Sequence, residues 1–314
     1  MGSHEREVIW IHALHGFLRG PEDFRPLAAS LEAAFVQPPS DIDSLNWSLA
    51  RDVDLDDSVR VRLVAWDLRS WLGETACSTV ASLAVKFRST LLAALAKSKG
   101  QSKSTRASER HLLLGEGLGA QVLMQAVHQE RESRRKGSAQ KDSKKWKAAG
   151  IPLERVVFMA AHPGLRELQE QAKRQALEAQ WAERILKEPL SKIRAEWFQQ
   201  PPFSTSPRMA EQPQSEADSW MELLPPARLS DLFRSLLLGH QEDEREALQG
   251  WVELLDSARF LWIAGERDRK FVQLLHELQD LGVPGEFWMC PEAGHAVFLD
   301  SPEDLAERIR QFLI

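Results

Sequence analysis

Apolar residues along this chain fall into short runs separated by longer stretches of helical spacing. Val8–Leu14, Val61–Trp66, His111–Leu114, Arg155–Ala161, Phe260–Ala264 and Gly285–Met289 are too short for buried helices and read as core strands. Between them, Pro21–Phe35, Thr75–Lys97, Ala120–Val127, 270–281 and 302–314 carry apolar positions three and four apart, the mark of amphipathic helices. Ser301-Pro302-Glu303-Asp304 is expected to cap the last of these. Residues 37–60 read as an irregular insertion and 98–109 as a polar loop. Strands alternating with helices predict an α/β fold, a mostly parallel sheet with helices on both faces. Residues 165–250 break the alternation. They hold helical periods and many prolines but no strand. This block is expected to be a helical lid inserted between two parts of one core, residues 1–164 and 251–314.

One junction carries candidate chemistry. The run His111–Leu114 enters Gly115-Glu116-Gly117-Leu118-Gly119, and a helix follows. A strand, a tight glycine turn and a helix form the frame of a nucleophile elbow, Gly-x-Ser-x-Gly. The central position here is Gly117, so the frame is present without its nucleophile. Asp268 follows a later strand and His295 follows the last one. Elbow, acid, histidine is the chain order of the α/β-hydrolase fold, in which the acid orients the imidazole and the imidazole draws a proton from the nucleophile. Backbone N–H groups of Phe17 and Leu118 are the candidates for an oxyanion hole. His12 and His15 straddle the end of a strand and are not read as metal ligands. No metal or cofactor is called for.

Composition narrows the partners. Net charge is −6, which does not invite nucleic acid or an anionic membrane. One basic stretch spans 131–147, with Arg131, Arg134, Arg135, Lys136, Lys141, Lys144, Lys145 and Lys147. It reads as a solvated helix end or loop, with polyanion binding as the alternative. The two cysteines, Cys77 and Cys290, show neither a disulfide framework nor a metal spacing, and a reduced cytoplasmic setting fits. No apolar run approaches the ~20 residues of a membrane span, and the first residues lack the apolar core of a signal peptide. The chain has eleven tryptophans and no tyrosine; lineage bias and alteration of the sequence are both open readings.

Several local motifs go beyond the hydrolase frame: His15-Gly16-Phe17, His162-Pro163-Gly164-Leu165, Glu188-Pro189-Leu190, Trp197-Phe198-Gln199-Gln200-Pro201, Gly265-Glu266-Arg267-Asp268-Arg269-Lys270-Phe271 and Ala293-Gly294-His295. Through these the chain resembles the menaquinone-pathway branch of the α/β-hydrolases, whose members act as 2-succinyl-6-hydroxy-2,4-cyclohexadiene-1-carboxylate synthase. The resemblance implies a lyase on a hydrolase fold: a proton leaves the substrate and pyruvate departs. It implies Asp268 and His295 as the relay pair. It also implies Arg174, Trp197 and Arg234 as the residues that hold a small carboxylate-bearing substrate. The chain departs from the family where chemistry occurs. Glu116, Gly117 and Gln121 stand at the family's elbow tyrosine, serine and following arginine, and Asp67-Leu68-Arg69-Ser70-Trp71 replaces the usual loop after the second strand.

Three readings follow. The chain is a non-catalytic or impaired relative, an active lyase or esterase-like hydrolase with a relocated base, Glu116 or His295, or a synthase altered at its elbow. Residues preceding an elbow nucleophile usually point partly away from the site, so Glu116 is expected at solvent. The alternative is a partly buried carboxylate acting as base.

Overall fold

The computed structural model describes residues 7–36, 59–101, 108–139, 150–211, 224–254 and 258–314. Its strands are β1 (Glu7–Leu14), β2 (Ala34–Val36), β3 (Val59–Trp66), β4 (Ser108–Glu116), β5 (Arg155–Met159), β6 (Arg259–Gly265) and β7 (Glu286–Cys290). They form one sheet in the order β2-β3-β1-β4-β5-β6-β7. Every pairing is parallel. The helices are α1 (Arg25–Ser30), α2 (Leu68–Leu72), α3 (Val80–Gln101), α4 (Leu118–Ala139), α5 (Leu168–Ile185), α6 (Leu190–Phe198), α7 (Pro207–Glu211), α8 (Pro226–Phe233), α9 (Arg245–Gln249), α10 (Arg269–Asp280), α11 (Val297–Asp300) and α12 (Pro302–Leu313).

Alternation along the strands builds two cores. Trp10, Leu14, Leu113, Phe158 and Trp262 face one side of the sheet and pack against α3, α4 and α10. Ile9, Ile11, Leu112, Leu114 and Ile263 face the other side, with α1, α11 and α12. Burial on both faces explains why these strands read as continuous apolar runs. Between β5 and β6 the described residues contain helices and turns but no strand.

The expected helix over Pro21–Phe35 is shorter than its pattern. A 3-10 turn at Pro21–Phe24 leads into α1, and Ala34–Val36 pairs with β3 as an edge strand. Three residues are too few for periodicity to reveal. Thr75–Thr79 is a turn, and α3 begins at Val80. Ser301 occupies the N-cap of α12 but makes no side-chain cap bond. The insertion at 37–58, the loop residues 102–107 and the basic positions 140–147 lie outside the described residues.

The elbow is set by close approach. A Cβ on Gly119 would lie 2.1 Å from the Leu14 carbonyl oxygen, and one on Gly115 2.6 Å from the Ala120 nitrogen. Helix α4 therefore starts hard against the ends of β1 and β4, and the elbow projects from the carboxyl end of the sheet, where open α/β sheets place their sites.

Candidate active site

Asp268 and His295 are brought together as the chain order predicts. Asp268 is the N-cap of α10 and accepts a hydrogen bond from Phe271 N at 3.4 Å. Its other oxygen, Oδ2, lies 2.7 Å from His295 Nδ1. With Nδ1–H donating to that carboxylate, the imidazole turns the lone pair of Nε2 into the site. The loop carrying His295 is fastened to the segment before α7. Thr205 Oγ1 accepts from His295 N at 3.1 Å, and Ser206 Oγ accepts from Ala296 N at 2.7 Å. These two hydroxyl residues are positioning residues that sequence reasoning missed, because nothing in a Ser-Thr-Ser stretch points 90 residues ahead.

Gly117 takes the apex of the elbow at φ +52°. Its N–H donates to the Met159 carbonyl at 3.1 Å, and its carbonyl accepts from Gln121 N at 3.1 Å. An added Cβ would meet only Gly16 Cα, at 3.6 Å. The geometry of a nucleophile position is thus intact, with space for a side chain, but no hydroxyl stands there.

Glu116 departs from expectation. It is 3% exposed rather than at solvent, and its carboxyl turns into the site. Oε1 lies 3.9 Å from His295 Nε2, and Oε2 is buried without a hydrogen-bond partner. Burial pushes its pKa up, against the opposing pull of His295 and Arg19. The imidazole and the carboxyl thus face each other across the site. The separation exceeds hydrogen-bonding distance, so the coupling is through space.

Phe17 and Leu118 border the same cavity of about 140 Å³ as Gly117 and His295. Neither backbone N–H enters a hydrogen bond among the described residues, so both remain available as donors. The loop before them is anchored by His15, whose Nδ1–H donates to Gly16 O at 2.9 Å while Nε2 accepts from Leu68 N at 3.0 Å. His12 is directed elsewhere, with Nε2 3.1 Å from His111 Nδ1, so the two histidines share no ligand direction.

Trp197 and Arg174 reach the cavity. Trp197 sits edge-on to Trp181 and Phe233, and its buried Nε1 has no partner. A buried indole N–H without an acceptor is a donor available to a ligand. Arg174 Nε pairs with Glu178 Oε1 at 2.6 Å, which orients the guanidinium at the rim. Arg234 does not join them: it is the C-cap of α8, is exposed, and lies outside the cavity lining. Its place in the sequence suggested a clamp, but the helix ends one residue earlier and turns it outward. Gln121, at the family's arginine position, accepts from Gln241 Nε2 at 2.9 Å and so ties α4 to the segment before α9. His162 and Lys270 also line the cavity and were not singled out as site residues. Their only sequence signal is membership in His162-Pro163-Gly164-Leu165 and in Gly265-Glu266-Arg267-Asp268-Arg269-Lys270-Phe271.

The family model described as the alpha/beta hydrolase family matches residues 13–308. The chain belongs to the alpha/beta hydrolase family. Within it, the chain is similar to 2-succinyl-6-hydroxy-2,4-cyclohexadiene-1-carboxylate synthases. Identity to that of Escherichia coli O7:K1 is 31% over 161 residues, covering 50% of this chain and 58% of the relative. Identity to that of Escherichia coli O1:K1 is 30% over 204 residues, covering 64% and 67%. The alignments thus span roughly three-fifths to two-thirds of those relatives' length. Among solved structures, MenH from S. aureus superposes with a TM-score of 0.64 at 16% identity, over 98% of this chain and 93% of that one. A thermophilic esterase from Thermogutta terrifontis follows at 0.53 and 14%, over 98% and 90%. At such identities these two show the shared α/β-hydrolase fold. The chain is therefore a MenH-like α/β hydrolase.

Three arginines of the basic stretch are held in ion pairs. Arg131 pairs with Glu253 at 3.2 Å, Arg134 with Glu130 at 3.3 Å, and Arg135 with Glu132 at 3.2 Å. No helix among the described residues is long and apolar enough to cross a membrane.

Proposed function

We propose that this chain binds a small carboxylate-bearing molecule in the elbow cavity, as a relative of the menaquinone-pathway synthase whose proton-abstracting step is impaired. The observation that carries this reading is Gly117 at the apex, with His295 Nε2 facing Glu116 where a serine hydroxyl would stand. No Oγ is present to form an acyl-enzyme or to be activated by the Asp268–His295 pair. The binding half of the site persists: Trp197 and Arg174 line the cavity, and the Phe17 and Leu118 N–H groups remain available. Cys77 and Cys290 as separate free thiols fit a reduced, cytoplasmic setting. The experiment is labelling with a fluorophosphonate that reacts with activated serines. The chain stays unlabelled, and Gly117→Ser becomes labelled at residue 117. Labelling of the unaltered chain would reveal another activated hydroxyl and overturn the reading.

A second reading rests on the unpartnered Oε2 of Glu116 at the cavity wall. Here Glu116 is the base. Oε2 takes the substrate proton, the C–H electron pair forms a ring double bond, and the bond to the pyruvate group breaks with its electron pair leaving on that group, which takes up a proton to depart as pyruvate. Burial, which raises the carboxyl pKa, also raises its basicity. This reading predicts turnover that Glu116→Gln abolishes.

A further inference from the structure

A second cavity, of about 290 Å³, lies beside the elbow cavity, walled by the first turns of α4, the start of α3 and the segment before α9. Gln121, His162 and Gln241 border both. The charges around the two differ. Arg19, Arg174 and Lys270 border the elbow cavity, against Glu116. Among the described residues the second cavity has no lysine or arginine in its wall; beside two histidines, its ionisable groups are Glu242 and Glu244.

The acidic segment is pressed into place. Gly164 holds φ +91°, and a Cβ there would lie 2.0 Å from the Glu242 carbonyl oxygen. Glu244 N donates to the Pro163 carbonyl at 2.7 Å. Residues 242–244 are thus packed directly on the turn at His162–Gly164. The middle carboxylate is already engaged, since Asp243 Oδ1 pairs with Arg245 Nη1 at 2.6 Å. Among the described residues Glu242 and Glu244 form no ion pair. Glu244 Oε1 accepts from Gln125 Nε2, a neutral donor. Burial, then Glu242 and Asp243, push the Glu244 pKa up to about 7, and no cation acts in the other direction. A half-buried carboxyl beside two like charges, with no counterion of its own, is relieved by a bound cation.

His162 adds an acceptor to the same wall. It is 6% exposed, and its Nδ1 is buried without a hydrogen-bond partner. Burial first, then Lys270 and Arg245, hold its pKa well below the ordinary histidine value. The ring is uncharged at neutral pH, so it accepts a hydrogen bond without repelling a cation. The two cations that act on it border other cavities, Lys270 the elbow cavity and both of them a third. Met124 and Val80 supply apolar wall. Among the described residues no phenylalanine or tryptophan borders the cavity, so it offers a quaternary ammonium no aromatic face.

We propose that this cavity is a binding site for a small primary ammonium compound with a short apolar stem. The ammonium carries three N–H donors. Glu244 accepts one in a charge-assisted bond, and His162 and Gln125 Oε1 are the further acceptors. The stem lies along Met124 and Val80. The site is independent of what the elbow cavity binds.

The test is saturation-transfer NMR titration of the full chain with butylammonium chloride and with butanol, its uncharged counterpart, at fixed ionic strength. The proteins are the unaltered chain, Glu244→Gln, Glu183→Gln and Glu116→Gln. Glu183 is 60% exposed on the lid and controls for loss of one negative charge. Glu116→Gln reports on the elbow cavity. Butylammonium binds the unaltered chain saturably and at least ~10-fold more tightly than butanol does. Glu244→Gln weakens it at least ~10-fold, while Glu183→Gln and Glu116→Gln leave it unchanged. A thermal midpoint of Glu244→Gln no lower than that of the unaltered chain separates a lost contact from a lost fold, and the butanol comparison needs no variant. Equal affinity for butanol, unchanged affinity in Glu244→Gln, or no saturable binding overturns the site. Binding that disappears in Glu116→Gln and survives in Glu244→Gln places the amine in the elbow cavity and overturns it as well.

Discussion

Glu116 Oε1 lies 3.9 Å from His295 Nε2, while Asp268 Oδ2 holds the other ring nitrogen at 2.7 Å. The imidazole thus stands between two buried carboxyl groups where the family frame has one carboxylate and one hydroxyl. Glu116 Oε2 packs against Gly16, where an added Cβ would come within collision distance of it. The carboxyl therefore fills the corner between the oxyanion-hole loop and the relay.

Replacing that carboxyl has a pH signature. The Glu116 pKa is raised in the fold above its ordinary 4.5 by burial. The unfolded chain releases this proton at lower pH than the folded chain does. The stability it contributes is present below about pH 4.5 and is lost as pH rises above that value. Glu116→Gln removes the ionisation and keeps the shape. Urea unfolding is expected to show the variant about 1–3 kcal/mol more stable at neutral pH, with the gap closing toward pH 4.

The elbow glycines are unequal. Gly117 at φ +52° has room for a Cβ, so Gly117→Ser pays only the left-handed backbone term of about 1–2 kcal/mol. Gly119 has none, since its Cβ would lie 2.1 Å from the Leu14 carbonyl oxygen. Thermal melts should show Gly117→Ser folded with a modestly lower midpoint. Gly119→Ala should be severely destabilised or recovered insoluble. Equal midpoints would mean that the α4–β1 contact is looser than described.

Trp197 is a wall of the cavity and carries an unpartnered indole N–H. It is 4% exposed and packs among Phe17, Trp181, Phe203 and Phe233. Trp197→Ala is expected to cost about 3–5 kcal/mol in chemical unfolding. Trp197→Phe should cost less while still removing the unpartnered Nε1. Weaker succinate binding in the phenylalanine variant, at near-normal stability, would identify the indole N–H as a ligand donor.

Glu244, immediately before α9, supplies a separate pH effect. Burial and the charges of Glu242 and Asp243 raise its pKa to about 7 from 4.5. Its contribution to stability is complete below about pH 4.5 and declines as pH rises through about 7. Glu244→Gln, which keeps a partner for Gln125, should therefore gain thermal stability relative to the unaltered chain between pH 5 and 8. Parallel pH profiles would contradict this.

The strands and the elbow were legible because burial on both faces leaves unbroken apolar runs, and because close helix–strand approach demands glycine at 115 and 119. Asp268 and His295 were legible from chain order, each following a strand that ends at the same edge of the sheet. The edge strand Ala34–Val36 was not, since three residues cannot display a period and their pairing with β3 crosses an insertion. The inward turn of Glu116 was hidden as well. It is a tertiary outcome: the space between Gly16 and His295 admits its carboxyl. Lys270 and His162 reach the cavity only through the fold, which packs both against the ring of Phe271 beside His295.

The most direct test of the central claim is pyruvate release from the synthase substrate by the unaltered chain, Gly117→Ser and Glu116→Gln at equal concentration. The account predicts release by Gly117→Ser, and release by the unaltered chain slower by about 10³-fold or more, the scale of losing a group from a relay. Turnover by the unaltered chain that matches Gly117→Ser and disappears in Glu116→Gln would contradict it, and would make the buried carboxyl beside His295 the working base.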